Sequence, residues 1–241
     1  LWSEIPNKFT WFKPDAKLRQ TTLEDAPAVD VLINTGCNTT MATYEYPRKK
    51  VGVQWLRAHE TWAKPEDELF KLYGLDMPLW GNSEWEVDLV REAGIRKDAE
   101  VQYCGIPHQE FYPVPTEKNP REIQIGALWS KKPRKRALDI FEVVRDPRLA
   151  HARWILFGNE PPPRGLFKNM QYIQQPPMEA KRKLYSWCDI WFAPSESEGL
   201  HIPPMEAALC GATVIANAVP AAGNKDYCIN NATGLQYTDV S

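Results

Sequence analysis

Two glutamates, Glu198 and Glu206, are separated by seven residues in a segment, residues 193–216, whose pattern predicts a strand, a loop, a helix and a second strand. The helix is predicted over residues 203–209, because a first helical turn tolerates proline and Gly211 marks the end. Both carboxylates then lie near one helix N-terminus, where free backbone N–H groups and a partial positive charge favour a phosphate. Carboxylates accept hydrogen bonds from sugar hydroxyls, so the spacing favours a site for a sugar diphosphate.

The elements that would position this site follow from the second half of the chain, where short apolar runs alternate with helical patterns. Such alternation is typical of βαβ units and a parallel sheet, whose ligands bind beyond the carboxyl ends of the strands. We predict strands over residues 123–128, 153–157, 170–173, 190–193 and 213–216, and helices over residues 134–144, 178–188 and 203–209.

The first half is less regular but shows the same two kinds of element. Strands are predicted over residues 29–34, 50–55 and 101–103, and helices over residues 64–73 and 83–93. The polar, proline-containing residues 112–120 are predicted to be a linker. The sequence thus predicts an α/β protein with two domains, residues 1–114 and 115–241.

The segment 193–216 resembles the signature of the retaining GT-B glycosyltransferases of the family 4 type. It has that family's E-x7-E element, a helix of small residues and a Gly-x-x-Val-Ile-Ala strand. The resemblance implies two Rossmann-like domains facing a cleft, with the acceptor on an apparently incomplete N-terminal domain and the nucleotide-sugar on the C-terminal one. It also implies that Glu198 contacts the transferred sugar and that Glu206 binds the ribose.

Further donor-binding residues are carried over from the same resemblance. Lys132 falls on the family's phosphate-binding lysine, whereas Ala127 replaces its arginine, so that Arg134 or Arg136 is the candidate to compensate. His201 stands where the family has a second glycine. The backbone amides of Leu200, His201 and Ile202 are expected to face the phosphate, and the remaining expected donor contacts are Gly158, Ile173, Ser195 and Gly199. Gly158 has an ordinary turn as its alternative role.

The first half resembles the family more loosely. Residues 79–95 are similar to a strand, serine and helix near the end of the N-terminal domain, and residues 103–113 to the hinge that follows, with His108 in place of an aspartate. His59 lies where some members have a cleft-facing catalytic histidine; a structural role is the alternative. The glycine-rich loop expected near the start of this domain is absent.

The resemblance implies transfer of a sugar from a nucleoside diphosphate to an acceptor hydroxyl with retention of anomeric configuration. No Asp-x-Asp is present, which favours charge neutralisation by lysine, arginine and the helix dipole over a metal. We therefore expect no metal site and no cofactor besides the nucleoside-diphosphate sugar. The acceptor is a glycan, a lipid or a small molecule.

Three other functions fit parts of the pattern. A nucleotide-sugar epimerase shares the two-domain architecture, and a non-catalytic sugar-nucleotide or glycan-binding protein would explain the lost arginine at Ala127. The basic run 131–136 also fits a solvated face or a nucleic-acid patch.

The composition of the chain limits the partners and the cellular compartment that we expect for the protein. The chain has 241 residues and a net charge of −2, so no whole-molecule field is expected to attract nucleic acid. Five cysteines without a C-x-x-C pair favour a reducing, cytoplasmic compartment, and no apolar run approaches the roughly 20 residues of a membrane span. Several of the ten tryptophans could form a peripheral contact with the inner face of a membrane: Trp2, Trp11, Trp55, Trp62, Trp80 and Trp85.

Overall fold

A computed structural model describes residues 24–219 and 221–239. The chain divides into two units between Tyr103 and Cys104. Each unit contains its own parallel β-sheet. The assignment of residues 1–114 to the acceptor and of residues 115–241 to the donor stays a prediction.

The first unit is a four-stranded parallel sheet in the order β1-β2-β3-β4. Its elements are β1 (Val29–Asn34), α1 (Thr40–Glu45), β2 (Lys49–Leu56), α2 (Glu66–Tyr73), β3 (Leu79–Gly81), α3 (Glu84–Glu92) and β4 (Glu100–Val101). Helix α2 begins one residue after Pro65, with three acidic residues in its first turn and Lys71 in its last, as the helix dipole favours. Leu69, Val87 and Val90 are fully buried in this unit's core.

The second unit is a six-stranded parallel sheet in the order β10-β9-β8-β5-β6-β7. Its elements are β5 (Ile123–Leu128), α4 (Ala137–Val144), β6 (Ala152–Gly158), β7 (Met170–Gln174), α5 (Met178–Trp187), β8 (Ile190–Ala193), α6 (Ile202–Leu209), β9 (Thr213–Asn217) and β10 (Leu235–Tyr237). One core cluster contains Tyr185 and Trp191, and a second contains Ile140 and Trp154. The strand reversal beside β5 places the loops after β5 and β8 next to each other.

Helix α4 is shorter than the sequence predicts. Residues 134–136 were expected inside it, but Pro133–Lys135 forms a 3-10 turn and Arg136 has a left-handed backbone with φ of 45°. The left-handed residue interrupts the helical path, so α4 begins at Ala137. The shorter helix buries Ile140, Phe141 and Val144 and leaves Leu138, which was expected on its apolar face, 72% exposed.

The described residues contain no helix that is long and apolar enough to cross a membrane. Among the tryptophans considered for membrane contact, Trp62 is exposed and Trp55, Trp80 and Trp85 are half-buried. Trp2 and Trp11 lie outside the described residues.

Candidate functional site

The loop between β8 and α6 forms the centre of the candidate site. It begins after Ala193 and ends at His201, whose left-handed backbone (φ 60°, ψ 66°) turns the chain into α6. In the described part of the chain, the N–H groups of Leu200, His201 and Ile202 donate no hydrogen bond. Three amide donors at the start of one helix are a suitable site for an anion.

Glu198 lies in this loop and is 8% exposed. Its Oε2 is 3.3 Å from Arg134 Nη1, and its Oε1 accepts a hydrogen bond from Lys135 Nζ. Burial by itself raises the pKa of Glu198. The charges of His201, which is protonated only in acid, of Lys135 and of Arg134 lower this pKa further than burial raises it. Glu198 is therefore an ionised carboxylate whose charge is compensated by two cations.

The basic 3-10 turn is fixed against the acidic loop by backbone contacts as well. Arg134 Nη1 donates to the carbonyl of Ser197 at 2.9 Å, and the N–H of Glu196 donates to the carbonyl of Arg134 at 2.9 Å. These bonds hold Arg134 and Lys135 at Glu198 without relying on charge alone. The two cations are consequently part of the loop's structure.

His201 occupies a conformation that glycine adopts more readily. The residue is buried, with 6% of its surface exposed, and Nε2 is 3.9 Å from Glu198 Oε1. Burial lowers the pKa of His201 to about 4, so the imidazole is neutral at pH 7. Its carbonyl accepts a hydrogen bond from Tyr227 at 2.8 Å, while Nδ1 is buried without a partner among the described residues. The site thus contains a neutral imidazole, not a third cation.

Glu206, in α6, belongs to a different hydrogen-bond network. Its Oε2 accepts a hydrogen bond of 2.7 Å from the hydroxyl of Tyr185, which is fully buried on α5. Burial raises the pKa of Glu206. The two glutamates thus flank the start of α6 in sequence, but their hydrogen-bond partners differ.

The rest of the basic run divides into free and paired residues. Lys131 and Lys132 are exposed, and in the region that the structure describes their ammonium groups form no hydrogen bond or salt bridge, although the charges of both help to lower the pKa of Glu160. Arg136 pairs with Asp139 at 2.9 Å and with Glu196 at 3.8 Å. The structure therefore brings Arg134 and Lys135 to Glu198, and the predicted contact of Lys132 with the diphosphate remains a prediction.

Sequence reasoning missed Lys135 and also Glu160. Glu160 accepts hydrogen bonds from Ser130 Oγ at 2.8 Å and from the N–H of Lys131 at 2.9 Å. The hydrogen bond from Ser130 is the main reason why the pKa of Glu160 is lowered. The one available signal for Lys135 was Pro133, which permits a separate turn before α4.

Three other expected donor contacts lie at or just beyond the carboxyl ends of the strands, as the loop of Glu198 does. Gly158 ends β6, where an added Cβ would lie 2.3 Å from the carbonyl oxygen of Trp129, so the strand and loop backbones meet closely there. Ile173 is 37% exposed on the edge strand β7, and Ser195 is buried two residues after the end of β8. Gly199 lies between Glu198 and the free amides, and its carbonyl accepts a hydrogen bond from Gly223 at 2.9 Å.

His59 lies in the first unit, in the loop after β2. Its Nδ1 is 3.2 Å from the hydroxyl of Tyr73 and its Nε2 is 3.2 Å from Glu66 Oε1, while the ring stacks on Phe70 at 5.8 Å between centroids. Both ring nitrogens therefore already have side-chain partners. Its catalytic role remains a prediction.

No group of three or more His, Cys, Asp or Glu side chains within residues 24–219 and 221–239 is arranged to hold a metal ion.

Residues 115–239 match the family model described as glycosyl transferases group 1. Comparison with curated proteins finds no significant match.

Solved structures similar to the chain include sucrose-phosphate synthase from Thermosynechococcus elongatus, with a TM-score of 0.71 and 18% identity over 87% of this chain and 61% of that one. Anabaena HepE in complex with UDP and glucose has a TM-score of 0.67 and 16% identity, covering 87% of this chain and 64% of HepE. The catalytic domain of starch synthase IV from Arabidopsis thaliana, bound to ADP and acarbose, has a TM-score of 0.69 and 11% identity, covering 88% of this chain and 62% of that domain. The chain thus spans about three fifths of these structures, and the similarity confirms the predicted α/β fold of the GT-B type.

Proposed function

The chain belongs to the glycosyl transferases group 1 family, and on that premise we propose that it transfers a sugar from a nucleoside-diphosphate sugar to an acceptor hydroxyl, with retention of configuration and without a metal. One observation carries the proposal. The carboxylate of Glu198, whose charge is balanced by two cations, lies beside three backbone N–H groups, those of residues 200–202, that donate no hydrogen bond in the described part of the chain. Negative charge on a diphosphate and hydroxyl groups on a sugar both find complementary groups there.

The cations at Glu198 are suited to the leaving group. An ammonium has three donors, and the contact with Glu198 leaves two on Lys135 for a phosphate oxygen. Fixed donors that face a developing charge stabilise a transition state without reorganising. In the proposed reaction, Lys135 and the amides at the start of α6 therefore stabilise the departing diphosphate.

The reaction breaks the bond between the anomeric carbon and the diphosphate oxygen and forms a bond from that carbon to the acceptor oxygen on the same face. The acceptor proton passes to the departing phosphate oxygen. Glu198 orients the sugar by accepting a hydrogen bond from one of its hydroxyls, and Glu206 binds the ribose. His59 is retained as a candidate catalytic residue.

Binding of UDP, ADP and GDP, measured by calorimetry, tests the donor site. At least one should bind saturably, and Lys135→Met should weaken it about ten-fold, as expected for a lost charged hydrogen bond. Lys183→Met is the matched control, because Lys183 forms an exposed pair with Glu179 on α5. If none of the three nucleotides binds, or if both variants weaken binding equally, the proposed donor site is wrong.

The stereochemistry is tested by determining the anomeric configuration of the product that forms from the matching sugar donor and a panel of acceptors. Retention requires the same anomeric configuration in donor and product. An inverted product, or an epimerised donor with no transfer, contradicts the proposed reaction.

A non-catalytic sugar-nucleotide-binding role is the second candidate. It is favoured by Ala127, which is fully buried in the core and offers no phosphate contact at the position of the family's arginine. Nucleotide binding without transfer or donor hydrolysis would support it. A nucleic-acid role is disfavoured, since Arg134, Lys135 and Arg136 are paired with carboxylates of their own chain.

A further inference from the structure

A cavity lies in the second unit, at the amino ends of its strands and opposite the candidate donor site. It has a volume of about 370 Å³ and is lined by residues from the amino ends of β5, β6 and β7 and from the end of α5. Glu198, in contrast, follows the carboxyl end of β8. Because parallel strands all point the same way, this cavity is separated from the candidate donor site by the length of the sheet.

The charges that line the cavity cancel. Glu117 and Glu122 contribute two negative charges, and Arg153 and Lys168 contribute two positive ones. Glu122 and Arg153 pair with each other at 3.2 Å. A site without net charge offers no general attraction to phosphate or to a cation, so a neutral ligand fits it better than an ion.

The remaining lining groups are four side-chain amides and two indoles. Trp187 is half-buried at the end of α5, and Trp154 is buried on β6. Amides donate and accept at once, as vicinal hydroxyls do, and an indole offers an apolar face with a polar edge. Trp154 and Gln124 are each only 2% exposed, so the indole of Trp187 and the more exposed amides are the groups that can contact a ligand. Together they are complementary to a sugar ring, which has hydroxyls around its rim and an apolar C–H face.

Several of the polar groups are free to bind. The side chains of Glu117, Lys168 and Gln171 are on exposed residues, and none has a partner in the described chain. A volume of about 370 Å³ lies at the lower end of the range for small-molecule sites, about 300–1,000 Å³. The cavity therefore has the capacity for a ligand of one or two sugar rings.

We propose that this cavity is a second carbohydrate site, which holds a neutral segment of a longer glycan away from the donor site. The proposal does not depend on the identity of the donor or on catalysis. In a chain that transfers sugars to glycans, it would keep a polymeric acceptor or product bound between encounters with the donor site.

Binding of maltopentaose, cellopentaose and chitopentaose, measured by tryptophan fluorescence and by calorimetry, tests the proposal. At least one should bind saturably and change the fluorescence, because Trp187 lines the cavity. The double variant Glu117→Ala/Gln171→Ala should weaken that binding about ten-fold through the loss of two hydrogen bonds. Both residues are exposed, so the variant should fold normally.

The control is Glu142→Ala/Gln102→Ala, which changes the same residue types at exposed positions outside the cavity and should leave binding unchanged. Saturating UDP should also leave it unchanged. The proposal is overturned if none of the three oligosaccharides binds, if UDP displaces the bound one, or if the two double variants behave alike. Failure of UDP binding would instead count against the donor site alone.

Discussion

Arg134 Nη1 lies 3.3 Å from Glu198 Oε2, and the same nitrogen donates to the carbonyl of Ser197 at 2.9 Å. This contact joins the loop after β5 to the loop after β8, on strands that are neighbours in the sheet. A nearly buried carboxylate is costly unless it is paired and hydrogen-bonded. The pairing therefore explains how Glu198 remains charged at a position that is 8% exposed.

Replacing Lys135 by methionine should destabilise the second unit. Glu198 keeps Arg134 but loses its other cation, and a partly uncompensated buried charge costs about 1–3 kcal/mol. Urea denaturation at pH 7 measures the change in the free energy of unfolding. The control Lys183→Met, which breaks an exposed pair, should change it by less than about 1 kcal/mol. Equal losses in the two variants would contradict the role of Lys135.

Replacing His201 by asparagine should reduce the loss of unfolding free energy that the protein shows as the pH falls. The pKa of His201 is about 4 in the folded protein and 6.5 in the reference state, so between these values the unfolded chain binds the additional proton. Stability from this group is fully present above pH 6.5 and is lost as the pH falls toward 4, a change of about 3 kcal/mol.

Unfolding free energies at pH 7 and pH 4.5 test this prediction, because His201→Asn removes the titrating group while asparagine tolerates a left-handed backbone. The difference between the two pH values should be smaller in the variant than in the original chain. His151→Asn, on an exposed residue, is the control. If His201→Asn leaves the pH dependence unchanged, the imidazole is not buried and neutral as described.

The inner strands β5, β6, β8 and β9 of the second unit could be predicted from sequence because most residues of their apolar runs are buried, as is typical of a parallel sheet covered on both faces. The short strand β10, at Leu235–Tyr237, was missed. It has three residues and exposes Leu235 at 41%, so it lacks that pattern. Helix α1 was also missed, since its six residues include two threonines and expose Met41 and Tyr44.

The candidate site was only partly predictable for a different reason. Spacing identified Glu198 and Glu206, because separation along a strand–loop–helix unit determines which end of the sheet a residue occupies. The position of Lys135 depends on a left-handed Arg136 and on the bond from Glu196 N–H to the carbonyl of Arg134. That bond joins residues 62 positions apart in sequence (196 − 134), so no local pattern contains it.

Tyr185 and Glu206 should show a measurable coupling in a double-mutant cycle. The hydroxyl of Tyr185 donates to Glu206 at 2.7 Å from a fully buried position, so Tyr185→Phe leaves that carboxylate oxygen without its donor. We expect each single variant, Tyr185→Phe and Glu206→Gln, to lose about 1–3 kcal/mol of stability and the double variant to lose less than their sum. Additive losses, measured by denaturant unfolding, would show that the hydrogen bond contributes nothing.

Gly158→Ala should destabilise the second unit more than the same substitution does at a glycine where an added Cβ would have free space. An added Cβ would lie 2.3 Å from the carbonyl oxygen of Trp129, and that carbonyl cannot rotate away as a flexible side chain would. The N–H of Trp129 also donates to the carbonyl of Phe157 at 2.8 Å, so relief of the clash must break this bond or bend β6. Either route costs about 1–3 kcal/mol.

Gly105→Ala is the matched control, because nothing lies within 4 Å of the Cβ it would add. Thermal unfolding should give a lower Tm for Gly158→Ala and an unchanged or slightly higher one for Gly105→Ala, since alanine reduces the entropy of the unfolded chain. Equal melting temperatures would mean that the backbones of β6 and the loop after β5 are farther apart than described, and that the edge of the sheet which carries the candidate site is less tightly constructed.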